Sequence, residues 1–193
     1  MHSARRDRTN SLKRKWRVGL IGHYRVKARG EHGIHEAFMG LPGVEICAVA
    51  DPDEESRLSL LRDTGAPNMY DDWRALLDRE RPDVVCLCSR LPVHHPDVVI
   101  GAAKAGCHVY CEKPFATSLA EADRMIAAAD AAGVKLGVAH LARYWESFQT
   151  ARNLIRSGDL GRPLMAYCRG KEDERGGGED MMKLLKSGAD ISR

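Results

Sequence analysis

Residues 17–22 read RVGLIG, an apolar run closed by glycine. After Arg17 no polar residue alternates within it. The run therefore predicts a strand buried on both faces, which requires a sheet covered by helices on each side. The pattern recurs at 44–51 (VEICAVAD), 83–89 (DVVCLCS), 107–111 (CHVYC) and 134–140 (VKLGVAH), with a weaker short strand at 68–70. Helical patterns fill the gaps, and the clearest begins at Ser118. There Ser118 and Glu121 form a capping box, in which each side chain satisfies the other's backbone N–H. Leu119, Ala122, Met125, Ile126 and Ala129 follow at helical spacing, and Gly133 supplies a left-handed stop. Residues 71–79 and 97–106 read as shorter helices. Strands alternating with helices predict an α/β fold built on a doubly wound, mostly parallel sheet.

Beyond His140 the character changes. A helix is expected at 144–156, ending at Gly158, and a strand at 163–168 (PLMAYC). Charged residues, Gly176-Gly177-Gly178 and a short amphipathic piece follow, and these cannot bury a second core by themselves.

Composition excludes several classes. The chain has 193 residues, 44% hydrophobic and 30% charged, which is a soluble globular balance. Its apolar runs are too short to span a bilayer. A net charge of +3 argues for neither a nucleic-acid nor a membrane partner. Residues 1–16 carry Arg5, Arg6, Arg8, Lys13, Arg14 and Lys15 against Asp7 alone, and read as a solvated, disordered basic tail, with a nucleic-acid or membrane-surface patch as the competing reading. The Arg5-Arg6 pair lacks the apolar region an export signal needs, so export is not expected. The six cysteines (47, 86, 88, 107, 111 and 168) form no C-x-x-C pair, and five lie in or beside the strand runs. They read as buried free thiols in a reducing cytoplasm.

The turn after the first strand of such a sheet is where phosphates bind, through glycine backbone and helix N–H groups. The pattern here is Gly22-x7-Gly30-x2-Gly33, with a helix expected from about Ile34; Tyr24 and Lys27 stand where the usual motif has glycine. A merely flexible loop is the competing reading. Asp51 closes the second strand, where an acid accepts the adenosine ribose hydroxyls and repels a 2′-phosphate. It lies 29 residues after Gly22, against roughly 20 in the usual motif. It could equally be an ordinary helix cap before Asp53-Glu54-Glu55. Glu112-Lys113-Pro114 follows the 107–111 strand at the edge where ligands sit. A lysine there can hydrogen-bond a substrate oxygen that gains charge, or be a surface lysine paired with Glu112.

Pro82-Asp83-Val-Val, Pro92-x-x-His95, Ala105-Gly106-x-His108-Val109-x-Cys111-Glu112-Lys113-Pro114, His140 with Arg143-Tyr144, and Ser157-Gly158-Asp159-Leu160-Gly161 together resemble the Gfo/Idh/MocA oxidoreductases. The resemblance runs from about Arg17 to Gly170. It implies a Rossmann domain at 17–142, followed over 143–193 by a linking helix and the beginning of a second α/β substrate domain. It implies NAD or NADP as cofactor, with Asp51 favouring NAD slightly and Arg57 close enough to complicate that preference. Gly22, Gly30, Gly33, Asp51, Pro92, His95, Glu112 and Lys113 would bind the cofactor, Pro92 and His95 on its nicotinamide side. Lys113 would be the catalytic lysine, and His140, Arg143 and Asp180 would face a sugar, cyclitol or related polyol. For His95 the competing reading is a helix N-terminal residue without ligand contact, and His94 reads as a solvated imidazole. No metal is implied.

Two departures stand out. The glycine loop is long, and residues 183–193 follow no family pattern; no histidine occurs after His140. The expectation is a truncated member that turns over no polyol, with self-association through uncovered apolar surface around 164–167. The alternative is a catalytically inactive dinucleotide-binding or oligomerisation module. The Glu-Lys-Pro context disfavours a third reading, a methyl-donor or other nucleotide enzyme on a similar sheet.

Overall fold

The structure, a computed structural model, describes residues 14–22, 33–165 and 167. By their contacts these form two units, 14–22 with 33–138, and 139–165 with 167. In the first unit, β1 (Trp16–Ile21), β2 (Val44–Ala50), β3 (Asn68–Tyr70), β4 (Val84–Leu87), β5 (His108–Cys111) and β6 (Leu136–Val138) form one sheet. Their order is β3-β2-β1-β4-β5-β6 and every pairing is parallel. The expected mostly parallel sheet is thus wholly parallel among the described residues.

Burial explains why continuous apolar runs became strands. Adjacent residues point to opposite faces, yet Ala48 and Val49 are both 0% exposed, as are Val85 and Cys86. Both faces are therefore covered. α1 (Glu54–Thr64) and α2 (Trp73–Glu80) pack on β2 and β3, and α3 (His95–Lys104) packs on β4, β5 and α4 (Leu119–Ala132). Close approach is bought with two missing side chains. A Cβ on Gly19 of β1 would lie 2.7 Å from the Leu76 side chain of α2, and one on Gly101 of α3 would lie 2.5 Å from the Trp73 ring.

Local punctuation matches the sequence closely, with instructive differences. Asp53 caps α1 by accepting from the Ser56 N–H at 2.9 Å, and Gly65 ends it in the left-handed region. At α4, Ser118 accepts from the Glu121 N–H at 3.2 Å, but the Glu121 carboxylate reaches one residue further back, to the Thr117 N–H at 3.0 Å and its hydroxyl. The expected reciprocal box is opened because Thr117 offers two donors to one carboxylate oxygen. Of the expected apolar stripe, Met125 and Ala129 are buried while Leu119 and Ile126 are exposed. The helix expected from Ile34 is a five-residue 3₁₀ turn, Ile34–Phe38; Gly40, Pro42 and Gly43 follow too soon for an α-helix to propagate.

Arg14 and Lys15, read as part of a solvated tail, pair with Asp83 and Glu45 instead. Arg17 pairs with Glu80 at 2.7 Å, and the same carboxylate accepts from Asn68 and the Tyr70 hydroxyl. Residues 1–13 of that tail lie outside the described residues. In the second unit, a 3₁₀ turn (Leu141–Tyr144) leads into α5 (Glu146–Ser157), which Gly158 ends at φ 83°. The strand expected at 163–168 is not formed over 163–165 or at 167. A strand needs a hydrogen-bonded neighbour, and none of the described residues supplies one. No helix among the described residues is long and apolar enough to cross a membrane.

Candidate functional site

The strand order reverses at β1, so β1 and β4 are neighbours whose connections run to opposite sides. The crevice outside their carboxyl ends is the switch point of such a sheet. Gly22 leaves β1 there at φ 76°, its N–H donating to the Ala50 carbonyl at 2.8 Å. A Cβ on Gly22 would stand 3.0 Å from the Ser89 Cβ and 3.3 Å from the Ser89 nitrogen. Both the left-handed backbone and the approach of the β4 end thus call for glycine. Ser89 has no motif of its own; only its place after the 84–87 strand could have flagged it.

Asp51 directly follows β2 and is 5% exposed. Its carboxylate accepts from the Asp53 N–H at 2.8 Å, and its carbonyl accepts from the Arg57 guanidinium at 2.6 Å. Asp53 caps α1, so the helix-cap reading of Asp51 falls away. Gly33 has an ordinary extended backbone, but a Cβ there would lie 2.2 Å from the His35 ring nitrogen. Its lack of a side chain makes room for His35. Gly30 lies outside the described residues.

At the end of β5, Glu112 is buried and Lys113 is exposed. The Glu112 carboxylate accepts from the Lys113 backbone N–H at 2.8 Å. The two side chains form no ion pair among the described residues, so the ammonium is not tied down by Glu112. Pro92 opens a short 3₁₀ turn that leads into α3.

His95, the first residue of α3, is 0% exposed. Its Nε2 lies 2.7 Å from the Ser89 carbonyl; its Nδ1 lies 3.1 Å from the Phe115 carbonyl and 3.3 Å from the Cys111 sulfur. The ring therefore joins the β4 end to the turn that carries Lys113. Burial holds its pKa below 6.5 against the two carbonyls, which favour protonation.

Sequence reading missed the pair His35 and Cys88. Cys88 follows β4, with its sulfur 3.6 Å from that of Cys86 and its thiol donating to the Cys86 carbonyl at the same distance. The Cys86 side chain first, then His35, brings the Cys88 thiol down to about 7 against the opposing effect of burial. Cys88 in turn raises the His35 pKa, and burial raises that of Cys86. The i, i+2 spacing puts both sulfurs on one face of a strand, but nothing local announces His35. The five described cysteines are all buried and free; Cys168 lies outside the described residues.

His140 and Arg143 belong to the second unit, and both are exposed. The His140 carbonyl accepts from the Arg143 N–H at 3.1 Å. Asp180 lies outside the described residues.

Residues 16–140 match the Gfo/Idh/MocA family, described as an oxidoreductase family with an NAD-binding Rossmann fold. The chain belongs to this family. It is 35% identical over 128 residues to the D-apiose dehydrogenase of Paraburkholderia graminis, covering 66% of this chain and 34% of that protein. Inositol 2-dehydrogenase 3 of Saccharopolyspora erythraea is 33% identical over 153 residues, covering 79% and 44%. Among solved structures, the WlbA dehydrogenase of Bordetella pertussis, in complex with NADH and UDP-GlcNAcA, superposes with a TM-score of 0.66 at 30% identity, covering 77% and 44%. The chain spans less than half the length of these family relatives. The sheet order and the family match agree on a Rossmann-type dinucleotide fold.

Proposed function

We propose that the chain is the cofactor-binding part of an NAD(P)-dependent dehydrogenase acting on a sugar, cyclitol or related polyol. The observation that carries this reading is the set of groups at the carboxyl edge of the sheet. Gly22 leaves bare backbone where any Cβ would press on Ser89, Asp51 follows the next strand, and Lys113 extends from β5 with its ammonium unclaimed by Glu112. These groups suit a dinucleotide: a bare backbone for pyrophosphate, a carboxylate for ribose hydroxyls and a cation near the reacting end. When bound, the nicotinamide supplies or accepts the hydride. Lys113 donates a hydrogen bond to the substrate oxygen whose charge grows as hydride moves. Pro92 and Glu112 shape the nicotinamide side, and Gly30 and Gly33 complete the phosphate loop. His140, Arg143 and Asp180 contact substrate. Inositol and apiose dehydrogenases among the relatives support the substrate class, and five unpaired thiols support a cytoplasmic setting.

NAD is the preferred cofactor through Asp51. Asp51→Asn keeps an oxygen for the Asp53 N–H but removes the charge that binds ribose hydroxyls and repels a 2′-phosphate. Hydrogen bonds to charged groups contribute about 1.5–3 kcal/mol. The variant should therefore bind NADH on the order of tenfold more weakly, with little loss for NADPH. Fluorescence titration with the two reduced cofactors reads the ratio, and an unchanged ratio removes Asp51 from the ribose site.

A further inference from the structure

The amino edge of the sheet, opposite the crevice, carries a surface of a different kind. Trp16 opens β1 and Val44 opens β2 in register with it. Trp16 is 51% exposed, and Met39 and Leu41, in the connection ahead of β2, are 40% and 47% exposed. Backbone bonds hold this corner together. The Trp16 N–H donates to the Gly43 carbonyl at 2.7 Å, and the Val44 N–H donates to the Leu41 carbonyl at 3.2 Å. The His108 ring lies 5.9 Å from the Trp16 ring, and its Nδ1 accepts from the N–H of exposed Lys135 at 3.0 Å.

The chain arrives at this corner through its densest run of positive charge. Arg5, Arg6, Arg8, Lys13, Arg14 and Lys15 precede Trp16, with Asp7 the sole acid among them. Arg14 and Lys15 pair with Asp83 and Glu45 but stay well exposed, and pairs of that kind contribute little. The net charge of +3 conceals this surplus because it is local. We propose that the corner docks on an anionic phospholipid surface. Trp16, Met39 and Leu41 enter the headgroup boundary, while Lys135 and the cations of 5–15 lie against the lipid phosphates.

The aliphatic pair decides between polyanions. A nucleic acid presents phosphates to the cations and base faces to Trp16, but its backbone gains nothing from exposed Met39 and Leu41. A bilayer boundary takes both, and an indole ring suits that depth because its body is apolar and its N–H is polar. Docking there leaves the backbone at Gly22 open, whether or not a dinucleotide binds.

The test is co-sedimentation of the full chain with vesicles of phosphatidylcholine alone and with phosphatidylserine added, at low and at high salt. Binding should be on the order of 10²-fold tighter to the anionic vesicles and should fall steeply with salt. Each Lys or Arg at an anionic surface strengthens association about fivefold. Replacing Arg5, Arg6 and Arg8 together by Gln should therefore weaken binding on the order of 10²-fold. The same change at Arg124, Arg152 and Arg156, exposed on α4 and α5, should leave it nearly unaltered. Trp16→Ala should weaken binding on the order of tenfold, and Leu41→Ser several-fold. Equal binding to both vesicle types overturns the proposal, as does equal weakening by the two arginine triples. A single-stranded oligonucleotide bound more tightly than the vesicles, with Leu41→Ser without effect, also overturns it in favour of nucleic acid. The vesicle comparison on the unmodified chain decides the matter even if Trp16→Ala does not fold.

Discussion

Gly22→Ala should bind NADH at least about tenfold more weakly and lose about 1–3 kcal/mol of folding stability. Two separate effects act at this residue. At φ 76° an alanine carries the left-handed penalty of about 1–2 kcal/mol. Its Cβ also lies 3.0 Å from the Ser89 Cβ and 3.3 Å from the Ser89 nitrogen, so β4 or the turn must shift. That shift closes the crevice at the switch point, where cofactor phosphates need bare backbone. Gly43→Ala separates the two effects: Gly43 also has positive φ, at 80°, but nothing lies within 4 Å of its Cβ position. It precedes β2, at the opposite edge of the sheet. Its variant should show the backbone cost in a urea midpoint and normal NADH affinity in a fluorescence titration. Equal NADH affinity in both variants would remove Gly22 from the cofactor site.

His95→Leu should destabilise the chain by about 2–4 kcal/mol although leucine fills much of the same space. The lost ring leaves the half-buried Ser89 carbonyl without its donor, a cost of about 1–3 kcal/mol, and the Phe115 carbonyl loses its polar neighbour. A pH signature accompanies the loss. Because burial depresses the folded pKa below 6.5, the unfolded chain takes up a proton that folded His95 refuses. Its contribution is therefore complete above pH 6.5 and is lost progressively as pH falls below that value. Urea midpoints at pH 5.5 and 7.5 measure both effects. The leucine variant should be less stable at each pH and less sensitive to the change. A variant as stable as the parent would mean the ring does not tie β4 to the Lys113 turn.

The sheet was legible because burial on both faces leaves a local trace. Runs such as 17–22 and 83–89 announce their strands, and Gly133 and Gly158 mark the helix ends where left-handed residues stand. The helix after Gly33 was not legible in the same way. A glycine followed by apolar residues suggests an α-helix, while the breaks at Gly40, Pro42 and Gly43 reduce it to a single turn. Contacts between distant segments left no trace at all. His35 meets Cys88 across more than fifty residues, and His95 reaches Phe115 past the whole of β5. Asp51 fell between these cases: its strand-end position was visible, but only the structure shows that Asp53 takes the helix cap.

The central claim is that the crevice between the ends of β1 and β4 holds a nicotinamide dinucleotide. Calorimetric titration of the folded chain with NADH tests it without requiring turnover. The account predicts one-to-one binding, tighter for NADH than for NADPH and weakened by Gly22→Ala. No heat and no fluorescence change with either cofactor, on chain shown to be folded, would contradict it.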